Sequence, residues 1–137
     1  MSIDRNREAL LGYLEGHDST RLAEDAVFTD MSSGQVWRGR EEIGGMLDAM
    51  YHRMFDAHAE TKNLIVDDEH AVLEAAFIGR HIGEFAGVPA TDKEVNVPLA
   101  VIYDFQDGRI VAGRVFWTVP VFLAQVGAMP QPQPAHG

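Results

Sequence analysis

Three residues of this chain combine reactive chemistry with a place on an apolar strand face: His81, Asp30 and Arg114. A histidine or a carboxylate can take a proton from carbon or oxygen, and burial or a charged neighbour shifts its proton affinity toward working pH. An arginine cannot act as a base, but it can hold an enolate or carboxylate oxygen. Together they form a usable acid–base set around a pocket for a small apolar molecule, with Tyr103 as a further polar residue on that face. Phe28, Trp37, Tyr51, Phe77, Leu99, Phe116 and Thr118 are the residues expected to shape the pocket wall. Each polar residue also has a plainer reading. His81 can be a hydrogen-bonded strand residue. Arg114 can pair with Asp30 or Glu24. Asp30 can bond the backbone of the Ser32-Ser33-Gly34 turn that follows it.

Other chemistries find no footing. With no cysteine in 137 residues, thiolate and disulfide chemistry are excluded. His17, His52, His58 and His70 show no metal-ligand spacing, so no metal is expected, and no HExxH, phosphate loop or Gly-x-Ser-x-Gly elbow occurs. The formal charge of −10, from 11 Lys and Arg against 21 Asp and Glu without a basic cluster, argues against nucleic acid and anionic membrane surfaces. No apolar stretch approaches the roughly 18–20 residues of a membrane span. Met1–Arg7 lacks the apolar core of a secretion signal, so a cytoplasmic location is the default.

The elements that must position these residues are legible in the periodicity. At 46% hydrophobic and 23% charged, the chain has the composition of one folded α+β domain. Residues 1–129 are read as that domain and 130–137, PQPQPAHG, as a proline-rich tail. Ile3, Leu10, Leu11 and Leu14 share one face of a first helix that stops near Gly16. Asp18 caps a short second helix carrying Leu22 and Ala23. Val27–Met31 and Gln35–Arg38 are short strands. Arg40–Phe55 is the clearest helix, with apolar residues at every i, i+3, i+4 position from Ile43 to Phe55.

Three longer alternating runs follow a strand at His58–Val66. Ala71–Phe85 places Leu73, Ala75, Phe77, Gly79, His81 and Phe85 on its core face. Val95–Phe105 does the same with Val95, Val97, Leu99, Val101 and Tyr103. Asp107-Gly108 predicts a two-residue type I′ hairpin into the last strand, Arg109–Thr118. An unbroken register pairs Val101 with Arg114 and Leu99 with Phe116, which turns Arg114, Phe116 and Thr118 inward. A one-residue bulge would reverse this and put Trp117 inside. The outer face then carries Ile78, Ile82, Ile102, Val111, Val115 and Trp117, apolar enough to predict a homodimer through the sheet. Long strands curling round the helices leave a concave side that the helices fill only in part.

The run Phe77-Ile78-Gly79-Arg80-His81-Ile82-Gly83-Glu84-Phe85-Ala86-Gly87-Val88-Pro89-Ala90-Thr91 resembles a stretch of the SnoaL-like polyketide cyclases. Lys93-Glu94-Val95, Asp107-Gly108-Arg109-Ile110-Val111 and Gln125-Val126-Gly127 follow the same pattern. So do the early Ala23–Phe28 and Gly39–Ile43. The resemblance covers nearly the whole folded part. It implies the cystatin-like cone of the nuclear transport factor 2-like superfamily: N-terminal helices packed on a long curved antiparallel sheet that encloses a pocket, usually as a homodimer. It also implies cofactor-independent cyclase or isomerase chemistry. His81 matches a histidine common in the family stretch. The family's aspartate at the end of the last strand is matched here by Thr118, and a threonine cannot exchange protons near neutral pH. Two alternatives stay open: a non-catalytic ligand-binding domain of the same fold, and a limonene-type epoxide hydrolase. The latter needs two carboxylates around an arginine, and Asp104 lies on the opposite face from Arg114 in the unbroken register.

Overall fold

A computed structural model describes residues 2–128, so the proline-rich tail lies outside the described residues. The architecture is α+β, as expected. Helix α1 (Ser2–Gly16) is followed by a single 3-10 turn at Ser19–Arg21, then β1 (Leu22–Asp30), β2 (Val36–Arg38) and α2 (Gly39–Asp48). A π-helical turn at Ala49–Arg53 leads into β3 (Phe55–Val66), β4 (His70–His81), β5 (Glu94–Gln106), β6 (Arg109–Trp117) and α3 (Val119–Gln125). The sheet has six strands in the order β2-β1-β6-β5-β4-β3. It is mixed rather than antiparallel, because β1 runs parallel to β6.

Local chemistry accounts for the departures from the periodicity. Leu22 and Ala23 open a strand instead of a helix: the Asp18 carboxylate does accept from the Thr20 backbone N–H at 3.0 Å, yet it caps only one turn. The buried face of α1 is Asn6, Ala9, Leu10 and Tyr13, while Ile3 and Leu11 are exposed. The polar members are buried with partners or aromatic packing. Asn6 donates to the carbonyls of Asp67 and Asp68 at 3.1 and 3.0 Å. The long helix ends at Asp48, and the following π turn, closed by Met54 N–H to Ala49 O at 2.6 Å, frees Phe55 to begin β3. Such turns re-aim side chains, and this one directs Tyr51 toward the concave side.

The sheet curls where its backbone allows. A Cβ on Gly79 would collide with the backbone of Asp56 and Ala57, so glycine permits β3 and β4 to close tightly there. Arg40 ties α2 to β1 with two bonds to the Leu22 carbonyl, at 3.0 and 2.8 Å. The core divides into two clusters, one under α1 and α2 around Leu10, Phe28 and Tyr103, the other under α3 around Phe55, Phe77 and Phe122. Each of these fully buried phenylalanines stabilises the fold by roughly 1.5–3 kcal/mol.

The last hairpin decides which side chains face inward. Asp107 and Gly108 both have positive φ, 52° and 74°, as a type I′ turn demands, and Gln106 pairs with Arg109. The next pairs contain a bulge. Phe105 pairs with Ile110 but Asp104 pairs with Ala112, so Ile102 meets Arg114, Val101 meets Val115 and Leu99 meets Trp117. One extra residue reverses every later side chain. Val115 and Trp117 therefore face the concave side, and Arg114 and Phe116 face outward.

Candidate active site

The concave side holds a cavity of about 580 Å³. Its walls come from the inward rows of β1, β3, β4, β5 and β6, closed by α1, α2 and the π turn. Phe28, Trp37, Phe77, Leu99, Val115 and Trp117 make it mainly apolar. Glu15, Gln35, His52 and His58 are exposed lining residues and mark its mouth. Gly113 is needed for this shape, since a Cβ there would stand 2.9 Å from the Phe28 ring.

The deep end carries a polar aromatic group. Tyr13 and Tyr103 are almost wholly buried, with rings 6.1 Å apart, and each packs on Phe28 at 6.2 Å. Tyr51 joins them through His17, whose ring lies 4.6 Å from Tyr51 and 5.6 Å from Tyr13. Burial pushes the Tyr51 phenol up to about 12 and those of Tyr13 and Tyr103 up as well. All three are thus protonated donors at neutral pH. Burial, reinforced by nearby His52, lowers the affinity of His17 for a proton and leaves its imidazole neutral. Asp30 lines the same cavity from the end of β1. Its Oδ1 accepts from the Ser32 backbone N–H at 2.9 Å and from the Ser32 hydroxyl at 2.6 Å, the turn interaction its sequence context suggests, while no partner holds Oδ2 among the described residues.

Of the expected site residues, Phe28, Asp30, Trp37, Tyr51, Phe77, Leu99 and Tyr103 come together on this cavity. Four do not. Arg114 lies outside, corrected by the bulge: it clamps Asp104 with two 2.8 Å bonds, and Asp104 also bonds His70 Nδ1 at 2.9 Å. These contacts, the Arg114 bonds foremost, hold the Asp104 carboxyl below its ordinary range. The same bulge turns Phe116 outward, where it is 42% exposed. Thr118 lies just past β6, where its hydroxyl donates to the Pro98 carbonyl at 2.6 Å, so it too is absent from the cavity wall. His81 is on the core face but behind the wall, fully buried between Phe55 and Phe122 with Nδ1 2.9 Å from the Thr91 hydroxyl. The outer-face expectation is corrected in step, for Val115 and Trp117 leave that face and Arg114 and Phe116 join it.

Sequence reasoning missed Tyr13 and His17 as lining residues, and gave Trp117 only as the outcome of a bulge. Tyr13 sits three positions after Leu10, on its helical face, and Gly113 inside a strand hinted at the bulge. His17 adopts a left-handed conformation, φ 53°, immediately after α1, a placement no pattern announces. No group of His, Asp and Glu among the described residues is disposed to hold a metal ion.

Comparison with known proteins places this geometry. The profile of the SnoaL-like polyketide cyclases matches residues 18–126. The chain belongs to that family. Among solved structures, a candidate SnoaL-like polyketide cyclase from Jannaschia sp. CCS1 superposes with a TM-score of 0.79 at 20% identity, over 93% of this chain and 94% of that one. A protein of ketosteroid isomerase-like fold from Catenulispora acidiphila, solved with trimethylamine, gives 0.72 at 21% identity over 93% and 98%. IdmH, a candidate polyketide cyclase from Streptomyces antibioticus, gives 0.71 at 23% identity over 89% and 98%. At these identities the SnoaL-like neighbours establish the fold. No curated protein matches the chain in sequence. None of the described helices is long and apolar enough to cross a membrane.

Proposed function

We propose that this SnoaL-like protein is a cofactor-independent cyclase or isomerase that moves a proton on an apolar, polyketide-like carbonyl compound. One observation carries the reading: a single aromatic-walled cavity holds the Asp30 carboxylate together with the protonated phenols of Tyr13 and Tyr103. Asp30 removes the proton α to the carbonyl. Its Oδ1 is occupied by Ser32, which orients the group and leaves Oδ2 for substrate. The electron pair moves onto the carbonyl oxygen, where Tyr103 and Tyr13 donate to the developing enolate. Donors fixed in a dry site stabilise such charge without reorganising. The enolate carbon then attacks a second carbonyl, whose oxygen takes the proton back from Asp30, in cyclisation, or the enolate regains that proton at another carbon, in isomerisation. The role expected of Arg114 passes to these tyrosines, and neutral His17 is available to relay a proton.

Exchange of the α-protons of 2-tetralone in D2O tests this, followed by mass spectrometry. Wild-type protein should accelerate exchange. Asp30→Asn should lower the acceleration about a hundredfold, the low end of general-base effects, and Tyr103→Phe about tenfold. Unchanged exchange in Asp30→Asn would sink the assignment.

A second reading, a non-catalytic binding domain, keeps the support of Thr118, which stands where the family resemblance implies an aspartate. It would appear as tight binding without exchange. The epoxide hydrolase alternative loses its support, since Arg114 and Asp104 pair on the outer face. We also propose a homodimer through that face, where exposed Ile65 and Val72 and half-buried Ile102 form a cross-strand row beside exposed Phe116.

A further inference from the structure

Two buried nitrogens have no hydrogen-bond partner among the described residues: Nε2 of His81 and Nε1 of Trp117. They belong to one aromatic cluster. The His81 ring packs on Phe55 at 5.3 Å and on Phe122 at 5.1 Å. The Trp117 ring packs on Phe77 at 5.0 Å and on Phe85 at 6.1 Å. Phe85 touches Phe55 and Phe122, each at 5.2 Å, and so stands between the two sides.

Both rings carry an N–H donor. The indole N–H is one by its chemistry. For His81, the Thr91 hydroxyl oxygen already accepts from the Lys93 backbone N–H at 3.3 Å. That oxygen keeps a second lone pair and its own proton, so it can serve Nδ1 of His81, 2.9 Å away, in either tautomer. Burying an N–H without an acceptor forfeits its hydration, and an aromatic face returns only part of that.

Phe85 and Trp117 both line the cavity, whereas His81 lies behind its wall. Phe85 is only half-buried, at the start of a tight turn in which it and Val88 exchange backbone bonds of 3.0 and 2.8 Å. Ala86 and Gly87 at the tip both have positive φ, 52° and 78°. We infer that Phe85 is a displaceable plug over a second polar subsite, and that Trp117 Nε1–H holds an oxygen acceptor of the ligand once that ring moves aside. The inference rests on the reading that the cavity takes an apolar carbonyl compound, and it narrows that class. Phe77 packs on Tyr51 at 5.1 Å and on Trp117 at 5.0 Å, so its ring links the two donor groups. A ligand reaching both is a fused-ring molecule of two or three rings with oxygen at each end.

The test compares 2-tetralone with 6-methoxy-2-tetralone, which adds only a distant acceptor, by quenching of tryptophan fluorescence in the full chain. The methoxy compound should bind about fivefold tighter, the effect of one modest hydrogen bond. Trp117→Phe should bring the ratio of the two Kd values to about one, and Phe85→Ala should raise it. In wild-type protein the Trp117 indole proton, assigned by comparison with Trp37→Phe, should move downfield with the methoxy compound and not with 2-tetralone. Equal affinities together with an unmoved indole resonance would mean that ring faces alone satisfy the indole N–H, and would overturn the subsite. Absent α-proton exchange with the binding preference intact would fault the proton-transfer reading instead.

Discussion

Replacing Trp117 and Phe116 singly by alanine tests the hairpin register, because adjacent strand residues must have opposite fates. Trp117 packs on Phe77 and Phe85 and walls the cavity. Deleting a large core aromatic costs about 3–5 kcal/mol. Trp117 borders an existing cavity, so the low end applies, about 3 kcal/mol. Phe116 is 42% exposed on the outer face. Its loss should change the stability of the monomer by no more than about 0.5 kcal/mol. With an m-value of about 2 kcal/mol/M in urea, Trp117→Ala should lower the unfolding midpoint by about 1.5 M and Phe116→Ala by about 0.25 M. Urea unfolding followed by circular dichroism gives both numbers. Measurement at two protein concentrations separates any contribution of Phe116 to self-association. A larger loss for Phe116→Ala at the lower concentration would restore the unbulged register and, with it, Arg114 to the cavity.

Acid should expose the Asp104 cluster. Its carboxyl titrates below the ordinary 3.8 because of Arg114 and His70, so its stabilisation is present above that value and disappears as pH falls through the lower folded one. Asp104→Asn should cost about 1–2 kcal/mol at pH 7, at the upper end for a partly exposed bidentate pair, and the two proteins should converge in strong acid; parallel stability curves would contradict this. In sedimentation, the wild-type chain should be a dimer at micromolar concentration and Val72→Asp a monomer; a wild-type monomer throughout would remove the outer-face interface.

Much of this architecture is written in simple periodicity. The alternation of Leu73, Ala75 and Phe77 against Val97, Leu99 and Val101 identifies the core faces of β4 and β5, because a strand face repeats every second residue. The Asp107-Gly108 turn is legible because only residues tolerant of positive φ make it. The strand beyond that turn is harder to read. An extra residue at Val111 costs little locally yet reverses the strand, and with it Arg114, Phe116 and Trp117. The tyrosine group is hidden for a different reason: Tyr13, Tyr51 and Tyr103 lie on separate elements, and only tertiary packing joins them. His81 falls on a core face, as its alternation predicts, but which side of Phe85 it occupies depends on packing that no spacing records.

The central claim is that the cavity stabilises an enolate. 2-Naphthol, the aromatic counterpart of the enol of 2-tetralone, measures this directly by fluorescence titration. The account predicts that 2-naphthol binds at least about tenfold tighter than 2-tetralone, as a mimic of the reacting state should. Tyr103→Phe should remove about that factor, the effect of one hydrogen bond to a developing charge. Equal binding of 2-naphthol and naphthalene, unaffected by Tyr103→Phe, would contradict it.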